Sequence, residues 1–366
     1  MITAGRRGSR IVGGAALAGA LAITTAACGN NNTATPAITP PTVAPGASAA
    51  CRDGLPHGPI DEITVTVNGT ERTALVHLPA SPTATVATSE PRPVVLAFHG
   101  FSGSAAVQAS QDGFAAQADE DGFVVVYPEG LLVGLSDQVT GASGWDPEGN
   151  EVDEPAFAAA LLDELGAQTC IDPSQVYATG FSAGGYIAVV VACALPERIV
   201  AVATVAAAYQ SEECPPTGRA IPTVAFQGLD DIVVAGLASS TRSGPFVPAF
   251  PAIEAAAARN GCSGAPKTVA VTPTVESIRW TGCSAPTLLY QLTNHGHAWP
   301  GHPLPFSEDL LATVLAGNAT QPPNALVAAL GRTPTELAQN TLLTNVDIDA
   351  TELIWDFFAS LPGGTR

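Results

Sequence analysis

The stretch Gly180-Phe181-Ser182-Ala183-Gly184 constrains this chain more than any other. It follows Val176-Tyr177-Ala178, residues of strand type, and precedes an apolar run, Tyr186 to Leu195, that Pro196 stops. That order reads strand, sharp turn, helix, and G-x-S-x-G in such a turn is the spacing of a nucleophile elbow. A serine at the apex brings the strand and helix backbones together, so Gly180 and Gly184 stand where a Cβ would clash. The free N–H groups of the helix N-terminus then face any oxyanion formed above Ser182.

The rest of the chain supplies the frame such a turn needs. Ile63 to Val67 alternates, Asn68-Gly69 is a hairpin turn, and Thr73 to Leu78 returns. Continuous apolar runs at Pro93–Phe98, Phe123–Tyr127, Ile199–Val205, Thr223–Phe226 and Thr287–Leu292 read as buried strands. Helical segments are expected over 107–121, over 154–165 with Asp153 as cap, Pro155 in the first turn and Gly166 at the end, over 252–260, and over Asp349–Leu361. Strands alternating with helices predict an α/β fold: a mostly parallel sheet, an antiparallel N-terminal hairpin at its edge, and helices on both faces. In such a sheet, ligands sit beyond the carboxyl ends of the strands.

Residues 1–27 have the form of an export signal. Arg6, Arg7 and Arg10 precede the apolar run Ile11–Ile23, and Thr25-Ala26-Ala27 is a small-residue cleavage site. Cys28 follows directly, as in a bacterial lipoprotein signal, so a lipid anchor at Cys28 is the variant of this reading. Residues 28–50, rich in Asn, Thr, Ala and Pro, form a disordered tether. The domain proper spans 51–366, with an insertion at 302–346. Of seven cysteines, setting Cys28 aside leaves an even set, which in an exported chain reads as a disulfide framework. Local pairing of Cys193 with Cys214 and of Cys262 with Cys283 leaves Cys51 for Cys170; zinc is the alternative use of these thiols. A net charge of −19 with 14 Lys+Arg argues against nucleic acid and anionic lipid surfaces as partners.

A serine hydroxyl needs a base, and in this strand order a carboxylate follows the nucleophile and a histidine follows the carboxylate. Three histidines come after Ser182: His295, His297 and His302. His297 lies in the loop after the last strand; the three together also admit a metal cluster. Gln227-Gly228-Leu229-Asp230-Asp231 follows an intermediate strand, and either aspartate can orient an imidazole. An oxyanion hole takes the Ala183 N–H and a second one from His99-Gly100-Phe101, with Phe101 the donor. Trp145 and Trp299 are candidates to line an aromatic acyl pocket, beside Tyr186.

Taken together, Thr73–Pro79, Leu96–Ser104, Gly122–Gly130, Ile171–Gly185, Gly228–Val234, Asn260-Gly261-Cys262, Trp280-Thr281-Gly282-Cys283, Gly296–Gly301 and Asp349–Phe358 resemble the polyhydroxybutyrate depolymerase and feruloyl esterase family, secreted carbohydrate esterases of the α/β-hydrolase superfamily. The resemblance implies Ser182 as nucleophile, Asp231 rather than Asp230 as acid, and His297 as base. It implies a monomeric serine esterase without metal or cofactor, acting on feruloyl or acetyl esters of xylan. Leu229, Gln227, His295, Ala183 and Tyr186 depart from the family's usual residues around the pocket. Rival readings are a polyhydroxyalkanoate depolymerase, a peptidase of the same fold, and a catalytically silent glycan-binding surface lipoprotein.

Overall fold

In the computed structural model, residues 51, 61–79, 91–133, 142–146, 149, 152–207, 209–210, 214, 218–240, 246–247, 249–317, 327 and 330–362 are described. The export signal and the tether lie outside them. The strands in chain order are β1 (Glu62–Val67), β2 (Thr70–His77), β3 (Arg92–Phe98), β4 (Val124–Pro128), β5 (Leu131–Val133), β6 (Ala142–Gly144), β7 (Ile171–Phe181), β8 (Ala201–Val205), β9 (Tyr209–Gln210), β10 (Thr223–Gly228), β11 (Phe246–Val247), β12 (Gly264–Thr272), β13 (Val275–Thr281) and β14 (Thr287–Leu292). The helices are α1 (Ala105–Gln111), α2 (Phe114–Asp121), α3 (Glu154–Gln168), α4 (Ala183–Ala194), α5 (Ile232–Ser240), α6 (Ala249–Arg259), α7 (Glu308–Ala316), α8 (Pro334–Leu342) and α9 (Ala350–Ala359).

One 10-stranded sheet runs β1-β2-β4-β3-β7-β8-β10-β14-β13-β12. From β4 to β14 every pairing is parallel. The N-terminal hairpin joins antiparallel through β2, as expected; its turn residues Asn68 and Gly69 have φ of 50° and 83°. A second antiparallel wing, β14-β13-β12, closes the other end. Of these, β14 was expected; β12, β13 and α5 were not expected from the sequence.

Successive strand residues enter opposite cores, the two-sided burial that a continuous apolar run encodes. Val94, Leu96 and Phe98 pack with Phe157, Leu161, Ile187 and Ile253 on one face. Val95 and Ala97 pack with Phe114, Ala118, Ile354 and Phe358 on the other. Helix α4 is apolar almost all round because it packs on β3, β7 and β8 with α3 against its side; Ile187, Ala188 and Val191 are fully enclosed.

Two helix expectations need correction. The segment 107–121 is two helices, because Gly113 turns at φ 70° and the Asp112 carboxylate accepts the Phe114 N–H that a continuous helix would use. Helix α3 starts as expected, with Asp153 Oδ1 accepting from Ala156, but passes through Gly166 to Gln168. Its buried Leu161, Leu162 and Leu165 outweigh the cost of about 1 kcal/mol for one helical glycine. The disulfides are Cys51–Cys170, Cys193–Cys214 and Cys262–Cys283, the pairing expected. No described helix is long and apolar enough to cross a membrane.

Candidate active site

Strand β7 delivers Ser182 to the carboxyl edge of the sheet, and α4 starts at the next residue. Ser182 has φ 54° and ψ −120°, a sparsely populated backbone state that costs on the order of 1–3 kcal/mol. Its N–H donates to Val205 O at 2.9 Å on the adjoining strand, which holds the apex in place. Close backbone approach explains the glycines. A Cβ on Gly180 would lie 2.3 Å from Gly184 C, and one on Gly184 would lie 2.1 Å from Phe98 O. Ala183 occupies the first helical position, where the N–H has no partner in the helix ladder.

The loop after β3 passes beside this turn and is braced from all sides. His99 is fully buried; its Nδ1–H donates to Gly100 O at 2.8 Å and its Nε2 accepts from the Gly130 N–H at 3.0 Å. Burial lowers its pKa, in keeping with a neutral ring bonded at both nitrogens. The Trp145 indole N–H donates to His99 O at 2.7 Å, and Ser102 N–H to Ser143 O at 2.7 Å. Glu129 accepts the Ala105 N–H, which begins α1. The Phe101 N–H takes no part in this network of described residues.

The carboxylate and the imidazole come from loops after β10 and β14, parallel neighbours in the sheet. Asp231 Oδ2 lies 2.9 Å from His297 Nδ1, and both side chains are almost wholly buried. Asp231 Oδ1 accepts the N–H groups of Val233 and Val234 at 2.9 and 3.0 Å, the first turn of α5. Gln227 Nε2 donates to Oδ2 at 3.2 Å. Burial alone would raise the Asp231 pKa, but His297, the Val234 N–H and Gln227 together hold it below the usual carboxylate value. Asp230 does other work: its N–H donates to His295 O and its Oδ2 accepts the Asn294 N–H. The His297 ring lies against Phe181, the residue before Ser182, at 4.8 Å between centroids.

The other candidates fall as follows. His295 accepts the Asn345 N–H at Nδ1 and donates from Nε2 to Ala298 O, and burial pushes its pKa down to about 4. His302 pairs with Asp349 at 3.1 Å and covers Gly113. Among the described residues, no three His, Cys, Asp or Glu side chains cluster closely enough to hold a metal. Trp145 is 6% exposed and edge-on to Phe98, while Trp299 is 2% exposed and donates to Thr351 Oγ1 at 2.9 Å. Tyr186 is 8% exposed in the first turn of α4. Two polar partners of this site were not read from the sequence as such. Gln227 stands in the stretch that carries Asp231 and reads there only as a departure from the family's usual residue, and Asn340 lies in the insertion. Only the Thr333-Pro334-x-Glu336 pattern there was readable, as a helix start.

Residues 93–230 match the α/β-hydrolase fold family. NocK of Nocardia uniformis subsp. tsuyamanensis, named as an esterase, is 31% identical over 315 residues, 79% of this chain and 90% of that protein. Feruloyl esterase B of Piromyces equi is 30% identical over 191 residues, 48% of this chain and 34% of its own length. Poly(3-hydroxyalkanoate) depolymerase C of Paucimonas lemoignei is 31% identical over 117 residues, 31% of this chain and 27% of its own. The chain belongs to the α/β-hydrolase fold family and is an esterase of that fold.

Proposed function

We propose that this protein is a serine esterase in which Ser182, His297 and Asp231 act in sequence, and that its substrates are feruloyl or acetyl esters of plant polysaccharide. One observation carries the mechanism: the buried 2.9 Å contact between Asp231 and His297 at the same sheet edge as the Ser182 turn. The Ser182 Oγ attacks the ester carbonyl while His297 Nε2 takes its proton. Asp231 accepts the Nδ1–H and stabilises the imidazolium. The N–H groups of Phe101 and Ala183 receive the oxyanion, each worth about 3–4 kcal/mol. His297 then protonates the leaving alcohol, and water, deprotonated by the same ring, releases the acid.

The substrate class rests on the name of the Piromyces relative and on the resemblance of the motifs. Tyr186, at the start of α4, is the side chain we place against the acyl group. Trp145 and Trp299, buried and bonded as they are, support the pocket from behind. The test is hydrolysis of methyl ferulate, acetylated xylan and hydroxybutyrate oligomers. Turnover of the first or second above the third is expected. Preference for the oligomer would move the reading to a polyalkanoate depolymerase. A fluorophosphonate should label Ser182 stoichiometrically; folded protein that stays unlabelled would support a binding protein instead.

Three disulfides support an oxidising compartment. We infer export with cleavage near residue 27, and anchoring if Cys28 is acylated. Amino-terminal sequencing and mass of the mature chain check this.

A further inference from the structure

We propose that Asn340, on the insertion, is a positioning residue that locks the acid and base loops into one geometry. The proposal rests on the reading of Asp231 and His297 as the working pair. Asn340 Oδ1 accepts two backbone N–H groups, from Ile232 at 3.2 Å and His297 at 3.1 Å. Its Nδ2 donates to Asp230 O at 2.7 Å. Its own main-chain O accepts the His297 N–H at 3.2 Å as well. One side chain therefore grips the residues on either side of Asp231 and the backbone of His297. It is 7% exposed, so water cannot readily replace these bonds.

The surroundings are shaped for this contact. A Cβ on Gly296 would lie 2.0 Å from Asn340 O, so the loop can approach only with glycine there. The Gly296 N–H donates to Leu343 O just beyond α8. Helix α8 is itself fixed. A capping box between Thr333 and Glu336 starts it, and Leu337 packs with Val233, Val234 and Leu237 of α5. The chemistry selects a carboxamide. Two N–H donors need an acceptor and the Asp230 carbonyl needs a donor; aspartate offers only the first, and alanine neither.

The test compares wild type with Asn340→Ala and Asn340→Asp, using p-nitrophenyl acetate as probe. Asn340→Ala should lose about 10²-fold in kcat with KM nearly unchanged, the scale of a small misplacement of reacting groups. Its acid limb of kcat/KM should move to lower pH, and the downfield Nδ1–H proton resonance of His297 should broaden or vanish. Asn340→Asp keeps both accepted bonds, so it should retain that resonance and recover at least about tenfold of the lost kcat. Its new carboxylate should move the acid limb to higher pH. Wild-type kcat and an intact resonance in Asn340→Ala, with only a lowered Tm, would overturn the proposal. If Asn340→Ala fails to fold, an unmoved acid limb in Asn340→Asp overturns it equally. Ser182→Ala and His297→Ala run alongside: turnover surviving in those variants defeats the esterase mechanism itself, whatever Asn340 does.

Discussion

Ser182 holds a backbone conformation that most residues avoid, and the Val205 carbonyl on the next strand keeps it there. Strain at this position belongs to the turn rather than to the hydroxyl. Ser182→Ala should therefore leave the Tm within about a degree while kcat falls by about 10⁴-fold or more, measured by scanning calorimetry and ester hydrolysis. Motif spacing picks out Ser182 and His297 from the sequence as candidates. It could not choose between Asp230 and Asp231 on residue chemistry, because both follow the same strand. In the structure the first N–H groups of α5 bind Asp231 Oδ1 and His297 Nδ1 meets its Oδ2, whereas the Asp230 side chain reaches back to Asn294. Asn340 was invisible for a different reason: its partners lie far away in sequence, and a lone Asn near a helix end carries no pattern.

At the scale of elements, the sheet was readable wherever both faces are buried, since a continuous apolar run leaves few alternatives. Strand β12 escaped because nearly every residue in it faces solvent, so Ala265-Pro266-Lys267-Thr268 has neither the run nor the alternation of a strand. The split of 105–121 into two helices is marked in the sequence by Asp112-Gly113, a turn pair, but the helix-compatible residues on either side mask it. Two predictions belong here. Gly184→Ala would force a Cβ within 2.1 Å of the Phe98 carbonyl, so folding should weaken by about 3 kcal/mol or the chain should fail to accumulate soluble. Replacing Cys262 and Cys283 by serine opens a link across 21 residues and should cost about 3 kcal/mol in a denaturant titration. Because that link lies on the β13 side of the sheet, fluorophosphonate labelling of the folded variant should be unchanged.

For the whole molecule, two buried groups give opposite responses to pH. Burial raises the Asp112 carboxyl to about 7, against about 3.9 in an unfolded chain. The fold keeps that proton while the unfolded chain has lost it, so this contribution to stability declines as pH rises from 4 to 7. Burial lowers His295 to about 4, against about 6.5 unfolded, so here the unfolded chain binds the extra proton and stability declines as pH falls over the same interval. The two slopes offset. Asp112→Asn should raise the Tm relative to wild type above pH 7 but not at pH 4. His295→Gln should close part of its deficit as the pH drops below 6; melting curves at pH 4, 6 and 8 separate the two. The contact from Asn340 also makes the site depend on chain continuity: Asn340 is 43 residues beyond His297, so a single backbone nick between them would leave every strand of the sheet in place while slackening the two loops that Asn340 joins.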